Sequence, residues 1–189
     1  MSEADRLRWD RRHSRDGEPR AGQDGPPSVF APFAHLFPSK GRALDIACGS
    51  GRTTVWLARR GMEVLGVDVS PVAIERARRL AALSGMADRC RFEVVDLDDG
   101  LPEGPDMDLV LCHLFRDERL DPAIVDRLAT GGILAIATLS EVDSAPGSFR
   151  ARPGELREAF AQLEVLAEGE GEGLAWLVGR RDGRVATIL

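Results

Sequence analysis

The chain has 189 residues, 43% of them hydrophobic, which is enough for one domain with one buried core and too few for two full-sized domains. A formal net charge of -6, with 25 basic residues scattered among 31 acidic ones and no basic patch set apart, argues against nucleic acid as a partner. Cys48, Cys90 and Cys112 offer neither a close zinc-holding pair nor an even set for a disulfide framework. The N-terminus is charged, and no apolar run is long enough to cross a bilayer. The expectation is therefore a cytoplasmic protein with no membrane segment and no metal.

In chain order, Glu3 to His13 is charged with Leu7 and Trp9 as its apolar points, and reads as a short helix lying on the surface or folding over a site. Ser14 to Ser28 carries Gly and Pro without periodicity and reads as a loop, either a mobile lid or disorder. Val29 to Phe37 reads as a helix. Beyond it, short β-type runs alternate with helical ones, the signature of parallel strands joined by crossover helices. The expected strands are Ala43 to Ile46, Glu63 to Val67, Arg91 to Val95, Asp108 to Cys112, Ile133 to Leu139, Leu163 to Ala167 and Leu174 to Gly179. Ser70-Pro71 opens a helix with Ile74, Ala77 and Ala81 on its apolar face and Gly85 as its stop. Asp121-Pro122 repeats that start, with Gly131 and Gly132 expected to end the helix. The last two strands are joined too tightly for a helical crossover and should form an antiparallel hairpin.

Three strand ends carry the chemistry. The first strand runs into Asp45-Ile-Ala47-Cys48-Gly49-Ser-Gly51-Arg52, where glycine lets the backbone turn sharply and approach a ligand without a Cβ in the way. Asp45 would accept from a ligand ammonium or order the amides of the loop, and Gly49 and Gly51 would face the tail and ribose of a nucleoside. An ordinary strand-to-helix turn is the competing reading. About twenty residues on, Asp68, followed by Val69 and Ser70, places a carboxylate where a ribose presents its hydroxyls, and repels a 2′-phosphate. At the third strand end, Asp96 would accept from an adenine amine with Leu97 against the base, unless it is one of a solvated acidic run with Asp98 and Asp99.

Together the Asp45–Gly51 loop, Asp68 and Asp96 resemble the class I S-adenosylmethionine-dependent methyltransferases, over about Arg42 to Arg181. Trp9-Asp10, Ser70-Pro-Val-Ala-Ile74 and Phe149-Arg-Ala-Arg-Pro-Gly-Glu-Leu156 are similar to the thiopurine and tellurite-resistance type of small-molecule methyltransferase. The resemblance implies a doubly wound, Rossmann-like α/β sheet, mostly parallel, ending in an antiparallel hairpin strand. It also implies S-adenosyl-L-methionine as cofactor, bound by residues 41–189, under a cap or lid of residues 1–40 that includes Trp9 and the region of Phe30 and Phe33. The usual tyrosine after Trp9 is absent, and His13 stands nearby. A small-molecule acceptor, such as a thiol or a selenium or tellurium species, follows from the same resemblance; monomer and homodimer both stay open.

The reacting end is expected after the fourth strand, at Cys112-His113-Leu114-Phe115-Arg116, because ligands of open α/β sheets bind beyond the carboxyl ends of the strands. His113 is the candidate base, or else a packing residue. Arg116 would bind an anionic group of substrate or cofactor, or form an exposed surface ion pair; Arg150 and Arg152 invite the same two readings. Cys112 would back the cofactor from within its strand. A nicotinamide-dependent oxidoreductase shares the turn and Asp68, but Thr54 stands where that fingerprint wants Gly or Ala. A cofactor-binding regulatory protein without catalysis is the other alternative.

Overall fold

The computed structural model of the chain describes residues 3–144 and 150–183. Within them run β1 (Gly41–Ile46), β2 (Met62–Asp68), β3 (Cys90–Val94), β4 (Met107–His113), β5 (Leu128–Ser140), β6 (Arg150–Ala151), β7 (Glu164–Gly171) and β8 (Leu174–Arg180). The α-helices are α1 (Glu3–Ser14), α2 (Arg52–Arg59), α3 (Pro71–Leu83), α4 (Asp121–Arg127) and α5 (Glu155–Ala159). The strands form one sheet in the order β3-β2-β1-β4-β5-β8-β7, parallel through β5 and antiparallel at β5–β8 and β8–β7. The order reverses between β1 and β4, so the crevice beyond their carboxyl ends is the topological switch point where a ligand is expected.

The central strands are buried on both faces, which is why β4 reads as the unbroken apolar run Leu109-Val110-Leu111-Cys112 instead of alternating. On one face Leu44, Ile46, Val110, Leu134 and Ile136 pack with Ile124 of α4 and Leu156 of α5. On the other, Ala43, Val64, Leu111 and Ala135 pack with Leu57 of α2 and with Phe30 and Phe37. The N-terminal punctuation of α3 is as the sequence implies: the Ser70 hydroxyl accepts from the Ala73 amide at 3.1 Å and Pro71 follows it.

Residues 28–36 form a helix as expected, of the 3-10 kind, consistent with Pro32 inside it, which has no N–H to donate. Several expectations are corrected. Asp121 does not cap α4; its carboxylate is turned to Arg116. α4 ends at Arg127, ahead of Gly131 and Gly132, which lie within β5. A Cβ on Gly132 would sit 2.8 Å from the Met107 carbonyl oxygen, so this glycine serves close strand approach rather than a helix stop. The sequence reading also lacks β6, which pairs parallel with the end of β5 through Leu139 and Ser140. Because β8 occupies the other edge of β5 there, β6 sits beyond the end of β4. Phe149, part of the family-like run, lies outside the described residues.

Candidate active site

At the end of β1 the chain leaves the sheet through Ala47 and Gly49, both at φ +54°. A left-handed alanine costs about 1 kcal/mol, so the turn is imposed by its surroundings. Part of that constraint is the Cys48 amide, which donates to the Val67 carbonyl at 2.9 Å and ties the turn to β2. Gly51, at φ +77°, opens α2, and a Cβ there would stand 2.7 Å from the Ala77 Cβ. Its glycine thus allows α3 to pack against the turn.

Asp68, at the end of β2, is the polar centre. One oxygen accepts from the Gly49 amide and the other from the Ser70 amide, each at 2.9 Å. Burial pushes its carboxyl up from the ordinary value, opposed by those two amides. Asp45 points toward α2, where it accepts from the Thr54 hydroxyl at 2.6 Å and is 2% exposed. Burial raises its pKa to about 7. Asp45 is therefore inside the domain, directed at the first turn of α2.

These elements border a cavity of about 150 Å³ lined by Ala47, Gly49, Asp68, Val69 and Leu97 below, by Trp9, Arg12 and His13 above, and by His113, Leu114 and Phe115 at one end. α1 supplies the upper wall because residues 9, 12 and 13 share one helical face. The helix is fastened where Ser70 donates its hydroxyl hydrogen to Asp10 at 2.5 Å, beside Asp68. The His13 ring stands over Gly49, within 3.4 Å of where a Cβ would be. The loop of residues 15–27 is held by arginines of the adjoining helices: Arg76 to the Gly17 carbonyl, Arg79 to Glu18, Arg52 to the Gln23 carbonyl and Arg59 to Asp24.

His113 closes the end wall at the tip of β4. Phe30, fully buried, meets its ring edge-on with centroids 6.4 Å apart, and burial lowers its pKa, leaving a neutral imidazole near pH 7. Next to it Leu114 is left-handed (φ +59°), its amide bound to the Ala137 carbonyl at 2.8 Å, with its side chain 49% exposed at the rim. Arg116 differs from expectation. It is buried, paired through both terminal nitrogens with Asp121 at 2.6 and 2.8 Å, while its Nε donates to Glu155 at 2.8 Å. Arg152 in turn meets Glu155, and Arg150 donates to the Ser140 carbonyl. The Arg116 cluster joins the loop after β4 to the segment after β6, and its cation is matched by two carboxylates within the protein.

The cavity thus gathers Trp9, Ala47, Gly49, Asp68, Val69, Leu97 and His113 of the expected site. Asp45, Cys48, Gly51, Arg52, Asp96, Cys112 and Arg116 lie off its wall. Cys48 packs toward Gly66 and Cys112 is 1% exposed in the core, its thiol pushed up to about 12 by burial. The Asp96 carboxylate accepts from the Asp98 amide, capping the short turn that carries Leu97. Phe33 packs at a tilt against Trp176 and does not line the cavity. Sequence reasoning does not single out Arg12, although its place one helical turn after Trp9 is a usable signal.

Comparison with known proteins agrees with this geometry. The methyltransferase domain family matches residues 43–132. Ribosomal protein L11 methyltransferase of Pelobacter propionicus is 30% identical over 149 residues, covering 76% of this chain and 44% of its own length. Ubiquinone biosynthesis O-methyltransferase of Xanthomonas axonopodis pv. citri is 30% identical over 117 residues, covering 59% of this chain and 48% of its own. The chain therefore spans less than half the length of these relatives. Among solved structures, TehB from Haemophilus influenzae superposes with a TM-score of 0.65 at 19% identity, over 75% of this chain and 57% of that one. Residues 43–132 of the chain thus match a methyltransferase domain, set in a fold that the chain shares with TehB.

Proposed function

We propose that the chain is a methyltransferase that takes S-adenosylmethionine as methyl donor and a small-molecule nucleophile as acceptor. The observation that carries this reading is the Asp68 carboxylate held against the Gly49 amide on the wall of a cavity that ends in a neutral His113. The residues fit a nucleoside. Each Asp68 oxygen accepts one backbone N–H and keeps acceptor capacity for a ribose hydroxyl. Val69 and Leu97 offer an apolar seat for a base, with Asp96 just before Leu97 as acceptor for its amine, and Trp9 covers them from α1. The cavity is smaller than the roughly 300–1,000 Å³ of small-molecule sites, so α1 must lift for the donor to enter.

When bound, the donor supplies a methyl group activated on a sulfonium. Asp68 and the turn at Gly49 then fix its orientation, while Trp9, Leu114 and Phe115 exclude water from the line of transfer. His113 accepts the proton of a thiol or hydroxyl acceptor at a ring nitrogen. The narrow, largely apolar end wall favours a small, weakly hydrated nucleophile, such as a thiol or a selenium or tellurium species, over a nucleic acid or a protein side chain. The two relatives, named for a ribosomal protein and for ubiquinone biosynthesis, do not decide between such acceptors.

The test is formation of S-adenosylhomocysteine by purified protein with thiols, phenols, carboxylates and chalcogen oxyanions. Transfer to a thiol or chalcogen compound is expected, with the thiol rate falling as pH drops below the ordinary histidine value of 6.5, where His113 takes up its proton. Transfer confined to nucleic acid or protein would contradict the reading.

A further inference from the structure

The roof of the cavity contains a cation that no acid among the described residues neutralises. Arg12 lines the cavity, and its guanidinium lies 5.7 Å from the centroid of the Trp9 ring. Among the described residues no carboxylate or carbonyl oxygen accepts from it, whereas Arg6 on the same helix meets Asp10; what sets Arg12 apart from the equally unpaired Arg8 is that it lines the cavity. The one acid on the cavity wall, Asp68, already receives two backbone amides.

A guanidinium against an aromatic face is partly shielded from water while its N–H edges stay available. Those edges match the spacing of a carboxylate or similar oxyanion and bind it through paired hydrogen bonds. We propose that Arg12 is the anion receptor of this site, holding a carboxylate-type group against the underside of α1 and so drawing the roof closed when that group is present. The inference rests on the reading of the cavity as a nucleoside site. The anion has two possible sources, the amino-acid tail of the methyl donor and an acidic acceptor.

Titration calorimetry separates them. The probes are S-adenosylhomocysteine and 5′-methylthioadenosine, which is a nucleoside thioether without the amino-acid tail. Mercaptoacetate, added to protein saturated with S-adenosylhomocysteine, is the third. Arg8, which also lies against Trp9 at 5.6 Å but does not line the cavity, provides the control. If the tail is the anion, Arg12→Gln weakens S-adenosylhomocysteine about tenfold, as expected for a charge-assisted pair near the surface, and leaves methylthioadenosine unchanged. If the acceptor is the anion, both nucleosides bind Arg12→Gln normally and mercaptoacetate binding is lost. Arg8→Gln should match the wild type in every titration.

Equal weakening of both nucleosides, or no change with any probe, would overturn the role of Arg12 while leaving the nucleoside site intact. A wild-type protein that binds neither nucleoside would overturn the site reading itself and this inference with it.

Discussion

The turn at Gly49–Gly51 and the helix α1 face the same cavity, yet they are held by different forces. Below, Asp45 and Thr54 are 2% and 0% exposed, Asp68 is 8% exposed, and the strand ends beneath them are anchored by Leu44, Ile46 and Val67 in the core. Above, α1 keeps Leu7 40% exposed and is fastened mainly by polar contacts, of which Ser70–Asp10 is the most shielded. Moving the floor would require breaking the core of the domain. Moving the roof requires the loss of a few surface ion pairs and one hydrogen bond, each worth about 1 kcal/mol or less. Such a division suits a site that must keep its geometry and still admit a ligand larger than the closed cavity.

Substitutions can break or sharpen that contrast. The largest stability loss is expected behind the end wall: Arg116→Met leaves Asp121 buried without its cation and Glu155 with Arg152 alone, and should cost about 3–5 kcal/mol in denaturant unfolding. A loss well under 1 kcal/mol would mean that the cluster is open to water.

Asp45 comes next. Its folded-state pKa of about 7 lies above the ordinary 3.8, so between those values the folded protein holds a proton that the unfolded chain has released. Stability should therefore fall as pH rises across that window, by about 4 kcal/mol at most. Asp45→Asn should flatten this part of the stability–pH curve, and an unchanged curve would show that Asp45 is hydrated.

A pair of glycines then compares the two regions directly. Gly51→Ala places a Cβ against Ala77 and Phe92 and should cost about 2–3 kcal/mol. Gly22→Ala, in the loop after α1 with a similar φ of +82° but nothing within 4 Å, should cost about 1 kcal/mol. Equal costs would remove the distinction between a packed floor and a loose roof. The smallest effect is expected for Asp10→Ala, about 1 kcal/mol or less in global stability but faster amide hydrogen exchange along α1.

The same contrast explains what could be read in the sequence. The floor was legible because its constraints are local and periodic: a β run into a glycine turn, a second strand ending in Asp68, Ser70-Pro71 opening α3. Gly51 was legible as part of the turn, but its contact with Ala77 was not, since it depends on how α3 packs 26 positions later. Arg116 was misjudged for a related reason. Its adjacent acids in sequence, Asp117 and Glu118, suggest a surface pair, whereas its partners are Asp121 and Glu155, the latter brought in by β6, a two-residue strand with no periodicity to detect. The roof was least legible: α1 has a weak apolar face, and its docking depends on pairs such as Asp10–Ser70 and Arg79–Glu18 that lie about sixty residues apart.

The measurement that bears most directly on the account is titration of S-adenosylhomocysteine into wild-type protein, Asp68→Asn and Asp68→Ala, with folding of each verified by circular dichroism. Saturable binding to the wild type, weakened about a hundredfold or more in folded Asp68→Ala and less in Asp68→Asn, is the predicted result. Undiminished binding in Asp68→Ala, or no binding to the wild type at all, would contradict it.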